Sequence, residues 1–158
     1  MPQKRDASLI PLSHDHHQGL VRVLQIRLAV RAGAGLEGEA TATREFWARE
    51  LVPHFAAEEA AVFPVMRAVS GAAELVARLL DEHDQLRALA GAIEATAESL
   101  SAFADLLEAH IRLEERDLFV RYQAQVPAAE RGAVEAQVRR ILHRPDDAAK
   151  VCELPRRG

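Results

Sequence analysis

The chain has 158 residues, of which 49% are hydrophobic, 28% charged and 4% aromatic, and its net charge is −4 at neutral pH. These values are typical of one soluble globular domain, here residues 1–158, with one sizeable core. Since there is no basic excess and no polybasic run, we expect neither a nucleic-acid partner nor a membrane partner. The single cysteine, Cys152, excludes an internal disulfide. The amino terminus has no apolar run of signal-peptide length, so we predict a cytoplasmic location.

The first predicted helix covers residues 13–31 and is followed by a glycine-rich loop. Ser13 is a suitable N-cap for this helix, and leucines recur at helical spacing at Leu20, Leu24 and Leu28. The loop covers residues 33–38, where three glycines interrupt the pattern.

Four more helices are predicted after this loop. Pro53 and Pro64 lie inside the second helix, and because each removes a backbone donor, a kink or break is expected at one or both. Gly71 marks the next turn, and Pro127 suits the first position of the fifth helix. The predicted ranges of these helices are 40–69, 72–98, 102–125 and 127–142.

The predicted fold class is all-α, because Ala, Leu, Val, Glu and Arg dominate and no strand pattern competes. Four long helices joined by short loops predict an up-down antiparallel four-helix bundle over residues 12–125. An additional C-terminal helix follows at 127–142, and the tail 143–158 is expected to be loose or to lie on the bundle surface.

The sequence contains an internal repeat that carries the polar residues of the core. The second and fourth helices both contain the pattern His-x-x-x-Glu-Glu-x-x-x-Phe. Its first copy has His54, Glu58, Glu59 and Phe63, and its second has His110, Glu114, Glu115 and Phe119. The first and third helices align with one another by placing Asp15, His17 and Leu20 on Asp81, His83 and Leu86.

The spacing of the repeat indicates a metal site. A histidine and a glutamate four residues apart lie on the same helix face, one turn from each other. Both His-x-x-x-Glu pairs interrupt stripes that are otherwise apolar, and burying such carboxylates without a partner is costly. Four helices that each bring polar groups to the interior therefore predict a metal cluster.

At these residues the chain resembles the hemerythrin-like family, also called the HHE cation-binding domain, over approximately residues 12–122. The resemblance implies a non-haem centre of two iron ions, bridged by two carboxylates and an oxygen-derived ligand. It also implies the metal ligands, which are His17, His54, Glu58, His83, His110 and Glu114. The two glutamates match the bridging carboxylates. His17 and His54 would serve one iron, and His83 and His110 the other.

The chain differs from the oxygen-carrying members of this family at one position. Those members have a second histidine one turn before His83, where this sequence has Leu79. A fifth nitrogen must come from elsewhere, with His14 as one candidate, or be replaced by water. His16 is the alternative to His17, but the repeat alignment and the leucine spacing favour His17.

Four acidic residues lie beside the predicted ligands. Glu59 and Glu115 are expected on solvated flanks, with an outer-shell or ligand role as the alternative. Asp15 and Asp81 either favour the start of their helices or accept a hydrogen bond from a ligand imidazole.

The resulting functional hypothesis is binding of, or reaction with, oxygen, nitric oxide or peroxide, for sensing, storage or protection. Mixed imidazole and carboxylate ligands suit iron. One alternative is a di-iron oxidase or peroxidase, although the ferritin-like enzymes use Glu-x-x-His with the order reversed. Another is a metal-stabilised helical module that regulates a partner chain. A bundle of this length can form a homodimer, but no surface patch in the sequence specifies one.

Overall fold

The computed structural model describes residues 3–143, and all regular structure in this range is helical, as the composition predicts. The predicted tail beyond His143, with Cys152, lies outside these residues. The five helices, in chain order, are α1 (Ile10–Ala32), α2 (36–67), α3 (Ala73–Gly91), α4 (97–125) and α5 (Ala128–Leu142).

Helices α2 and α4 alternate between α-helical and wider π-helical turns. The π-helical segments are Trp47–Leu51 and Glu58–Val62 in α2, and Glu114–Leu118 in α4. Pro53 and Pro64 each lie just after one of the two segments in α2. A proline has no N–H, so in a regular α-helix the carbonyl four residues before it would be unpaired. In a π turn the hydrogen bond reaches back five residues instead of four, and α2 continues through both prolines without a break.

The first helix begins earlier than the sequence predicts. Its first residue is Ile10, and Pro11 lies in the first turn, where its missing N–H costs nothing. Ser13 is therefore inside the helix and is not its N-cap. The Ser13 hydroxyl instead donates a hydrogen bond of 2.7 Å to Glu115.

The leucines that recur along α1 do not mark its buried face, although Leu20 is partly buried against an apolar cluster. Leu24 and Leu28 are 57% and 54% exposed. The buried face carries Leu12, Asp15, His16, Gly19, Val23 and Ile26. Gly19 allows α1 to lie close to α4, since a Cβ atom at this position would be only 2.8 Å from Ile111 Cδ1.

The connections between the later helices also differ slightly from the sequence prediction. Gly71 makes the predicted turn, with a φ of 77° that suits glycine. Helix α3 ends at Gly91, and α4 begins at Ala97, where the Thr96 side chain accepts a hydrogen bond from the backbone N–H of Ser99.

Helices α1 to α4 surround one interior, with α1 against α2 and α4, and α3 against α2 and α4, while α5 packs on α2. Two apolar clusters fill this interior. One contains Leu12, Phe63, Leu79, Leu118 and Tyr122, and the other contains Val23, Phe55, Leu86, Phe103 and Leu107. The buried histidines and glutamates are outside both clusters. No helix within residues 3–143 is both long and apolar enough to span a membrane.

Candidate metal centre

Six buried polar side chains from α1 to α4 converge in the interior of the helices. They form two groups of four, and within each group the potential ligand atoms lie within 4.8 Å of one another. The first group is His16, His54, Glu58 and Glu114, and the second is Glu58, His83, His110 and Glu114.

Glu58 belongs to both groups and faces each with a different oxygen. Its Oε1 lies 3.1 Å from Nε2 of His54 and 3.6 Å from Nε2 of His16. Its Oε2 lies 3.3 Å from Nε2 of His83. This arrangement is the one that a carboxylate bridging two metal ions requires.

Glu114 is placed in the same way on the other side of the centre. Its Oε2 lies 3.0 Å from Nε2 of His16, and its Oε1 lies 3.3 Å from Nε2 of His110. Oε1 is also 4.0 Å from Nε2 of His83. Two carboxylates therefore span the same pair of histidine groups.

A further observation indicates that these residues suit a metal centre. All four carboxylate oxygens of Glu58 and Glu114 are buried, and none makes a well-directed hydrogen bond within residues 3–143. The polar atoms closest to them are the Nε2 nitrogens of the four histidines. Orphaned buried carboxylate oxygens are costly, whereas coordination of a cation would satisfy them. Nε2 of His16 lies 3.1 Å from Nε2 of His54, so these two imidazoles direct their Nε2 atoms to a common point.

The opposite ring nitrogen of each buried histidine donates to a carboxylate. Since a carboxylate can only accept, these contacts place a proton on every Nδ1 and leave Nε2 as the potential ligand. The four pairs are His16 with Glu115 at 2.7 Å, His54 with Asp15 at 3.0 Å, His83 with Glu59 at 2.7 Å, and His110 with Glu82 at 2.8 Å. Such outer carboxylates fix the ring orientation of metal-binding histidines.

Two arginines bind the carboxylates that accept hydrogen bonds from His16 and His83. Arg5, in the segment before α1, forms an ion pair with Glu115, and Arg87 donates to Glu59 at 2.6 Å. Neither arginine was predicted, because each is distant in sequence from the carboxylate that it contacts.

Phenylalanine rings cover the imidazoles. Phe119 stacks on His16 with 5.4 Å between ring centroids. Phe55 stacks on His83 at 3.7 Å and 7°, and Phe63 approaches the same imidazole at 5.2 Å. The rings of Phe55, Phe63 and Phe119 are at most 1% exposed, so they keep bulk water from the centre.

Neighbouring carboxylates hold the imidazoles of His54 and His110 in their charged form when no metal is bound. Burial lowers the pKa of His54, but Glu58 and Asp15 outweigh burial and raise it to about 9. Burial likewise opposes charging of His110, and Glu114 contributes most to raising its pKa to about 10. The charged imidazoles in turn hold the pKa of Glu58 well below its usual range despite burial.

The structure brings together His54, Glu58, His83, His110 and Glu114, five of the six predicted ligands, but not His17. The side chain of His17 is exposed, whereas His16 is only 3% exposed and lies in the first group. The sequence prediction chose His17 because Leu20 and Leu24 share its face, but Leu24 is 57% exposed and Leu20 is only partly buried. The pairing of one α1 histidine with His54, and of His83 with His110, is otherwise as predicted.

A different alignment of the two halves would have found His16. Placing His16 on His83 also places Asp15 on Glu82, so that an acidic residue directly precedes the buried histidine in both helices. Both acids accept a hydrogen bond from a histidine of the next helix. Glu82 was therefore missed. Asp81 is exposed and accepts a hydrogen bond from Gln85.

The remaining sequence predictions around the centre have mixed outcomes. Glu59 and Glu115 are not solvated flanks, since each accepts a hydrogen bond from a buried imidazole. His14 is exposed and is not in either group. Leu79, at the position where oxygen carriers have a further histidine, is fully buried in an apolar cluster.

Comparison with known proteins identifies the family. The family model described as the hemerythrin HHE cation binding domain matches residues 8–148. This range is wider than the resemblance over 12–122 and includes α5. No curated protein and no solved structure gave a significant match. The match covers most of the chain, and the chain therefore belongs to the hemerythrin HHE cation-binding family.

Proposed function

We propose that this chain is a non-haem di-iron protein that binds or reacts with oxygen, nitric oxide or peroxide, for sensing, storage or protection. The observation that carries the proposal is the sharing of Glu58 and Glu114 between two groups of histidines. Two carboxylates that each face both groups would hold two metal ions as a pair.

The donor set favours iron. Each group offers two imidazole nitrogens and two carboxylate oxygens, a mixture that suits iron better than it suits calcium or magnesium. When bound, the iron pair would supply redox chemistry and vacant coordination positions for a small ligand.

A coordination position for such a ligand is expected near His83. Leu79 cannot coordinate, and no further histidine within residues 3–143 belongs to either group. The second group therefore offers two imidazole nitrogens, the same number as the first. A small ligand or water could complete its coordination.

The side chains would tune the centre in two ways. Carboxylates hold the Nδ1 proton of each imidazole, so that Nε2 is available to the metal in the correct tautomer. Phe55, Phe63 and Phe119 exclude bulk water and lower the local polarity, which strengthens electrostatic interactions at the centre.

We also infer that α1 to α4 run alternately up and down. The connections between them are short, at residues 33–35, 68–72 and 92–96, and short connections favour antiparallel neighbours. In this topology each helical hairpin would supply the histidines of one metal ion.

The test is the metal content of protein purified from iron-supplied cells, with optical spectra of the reduced form before and after oxygen is added. We expect about two irons per chain and an oxygen-dependent charge-transfer band. His54→Ala and Glu114→Ala should abolish the band, and His17→Ala, on the exposed face of α1, should keep it.

Other outcomes would favour the alternative functions. Sustained turnover of peroxide or ferrous iron would indicate a di-iron enzyme. Bound metal without any response to oxygen, nitric oxide or peroxide would indicate a structural metal in an interaction module. A chain with full helicity and no stoichiometric metal would contradict the di-iron proposal.

A further inference from the structure

A second candidate site lies beside the His83 half of the centre. It is a cavity of about 450 Å³ between α2 and α3, and it opens to solvent. Its volume is within the range of small-molecule sites, about 300–1,000 Å³. The residues that line it are Trp47, Val52, Phe55, Ala56, Glu59, Arg87, Ala90 and Gly91.

Most of the cavity wall is apolar, and two of its side chains are aromatic. Trp47 and Phe55 meet edge to face, with 5.5 Å between their ring centroids. Val52, although apolar, is 49% exposed at this site. Phe55 is stacked on His83 and is only 1% exposed, so Trp47 and the small aliphatic groups provide most of the apolar surface for a ligand. Such a surface favours a flat apolar ligand.

The charged residues at the cavity do not form an anion site. Arg87 donates to Glu59 at 2.6 Å and to Asp84 at 3.0 Å, so two carboxylates already neutralise it. A carboxylate ligand would have to compete with both acids for this one guanidinium. The charges at the rim therefore disfavour an anionic ligand.

One hydrogen-bonding atom at the cavity remains available. Oε1 of Glu59 accepts hydrogen bonds from both His83 and Arg87. Its Oε2 makes no hydrogen bond with any of residues 3–143, and the side chain is 30% exposed. A ligand with an O–H or N–H group could donate to Oε2 without displacing either existing partner.

We propose that this cavity binds a neutral aromatic molecule with one hydrogen-bond donor, of the phenol or indole class. The aromatic ring packs mainly against Trp47 and Val52, and the donor bonds to Glu59. Phe55 stacks on His83, so the ligand lies one ring away from an imidazole of the candidate metal centre. The proposed ligand contacts no candidate metal ligand directly, although Phe55 and Glu59 both contact His83.

The fluorescence of Trp47 provides the test, because this residue is the only tryptophan of the chain. The full chain is titrated with p-cresol while Trp47 emission is followed. Gly91→Leu adds a large side chain at the cavity wall to reduce its volume, and a Cβ at Gly91 has no atom within 4 Å. The matched control is Gly132→Leu, because Gly132 is equally unobstructed and lies in α5, away from the cavity.

We expect a saturable change in emission for the wild type and for Gly132→Leu, and binding weaker by about tenfold or more for Gly91→Leu. A second pair of probes tests the hydrogen bond. The methyl ether 4-methylanisole lacks the donor and should bind about tenfold more weakly than p-cresol. Benzoate should bind more weakly than p-cresol, because Arg87 is already paired.

Four outcomes would overturn the proposal. One is the absence of a saturable response to p-cresol, and another is equal binding by Gly91→Leu and the wild type. The third is tighter binding of benzoate, which would indicate an anion site at Arg87. A second copy of the chain in the cavity would appear as emission that depends on protein concentration and does not respond to p-cresol, and this result would also contradict the proposal.

Discussion

Asp15 accepts a hydrogen bond of 3.0 Å from Nδ1 of His54, although the two residues are on different helices and 39 positions apart. Glu82 and His110 repeat the relationship between α3 and α4 at 2.8 Å. In both cases the acid directly precedes a buried histidine of its own helix. Neighbouring helices are thus linked twice at the centre, by the candidate ligands and by the acids that orient them.

The outer acids should matter for metal affinity. We expect Asp15→Asn and Glu82→Gln each to weaken metal binding by about 10–100-fold, because an amide holds the Nδ1 proton less well than a carboxylate does. The measurement is a competition titration with a chelator of known affinity. Asp81→Asn is the control, since Asp81 is exposed and should leave the affinity unchanged. Equal affinities for all three variants would show that the acids serve folding only.

His16 and His17 are adjacent and should differ sharply. His16→Ala removes one of the two imidazoles of the first group, so we expect it to lose the metal of that group. His17→Ala changes an exposed side chain and should keep the full metal content. Elemental analysis of both purified variants distinguishes them. Loss of metal in His17→Ala alone would contradict the assignment of His16.

Metal binding should release protons at neutral pH. The pKa values of His54 and His110, about 9 and about 10, mean that both imidazoles are charged at pH 7 in the metal-free protein. Each must lose its Nε2 proton to bind a metal, so the apparent affinity should increase with pH up to this range. Calorimetric titrations in two buffers with different ionisation enthalpies count the protons. No proton release would show that the imidazoles are already neutral.

The same pKa shifts predict the direction of pH effects on the metal-free chain. The folded-state pKa values of His54 and His110 lie above the ordinary value of 6.5. The two charged imidazoles therefore stabilise the folded state fully below pH 6.5. This stabilisation should be lost as the pH rises through about 9 and 10. The lowered pKa of Glu58 acts in the opposite direction, and its contribution is lost in acid. Thermal unfolding of chelator-treated protein across this pH range is the measurement, and a midpoint that increases between pH 8 and 10 would contradict the prediction.

Metal removal should lower stability and leave the helices formed. A metal present at a thousand times its Kd stabilises the folded state by about 4 kcal/mol. The two apolar clusters remain when the metal is removed, and charged imidazoles still compensate Glu58 and Glu114. Circular dichroism with and without a chelator should show a lower melting temperature with similar helicity at room temperature. Unfolding on chelation would instead show that the metal is required for folding.

The fold was largely predictable because its signals are local. Helical periodicity and turn residues such as Gly71 act over a few positions, and the four-residue spacing of His54 and Glu58 puts both on one face of a continuous helix. The π-helical segments were not predicted. They depend on how a helix accommodates a proline or a ligand position, and no short sequence pattern specifies that.

The errors at the centre have a physical cause as well. His16 and His17 are neighbours on a helix, so choosing between them requires knowing which face of α1 is inside. Exposed leucines at positions 24 and 28 gave a misleading answer. The contacts of Arg5 and Arg87 depend on how distant segments pack, which one helix pattern cannot reveal.

The two apolar clusters also have a consequence for traffic to the metals. Each cluster is a tightly filled plug of side chains, and the polar residues lie outside both. A gas molecule travelling along the length of the helices would have to displace packed leucines and phenylalanines. If the proposed function is correct, an approach between neighbouring helices would avoid both clusters. Brief rotations of rings such as Phe55 and Phe119 would then control how fast a small ligand enters the centre.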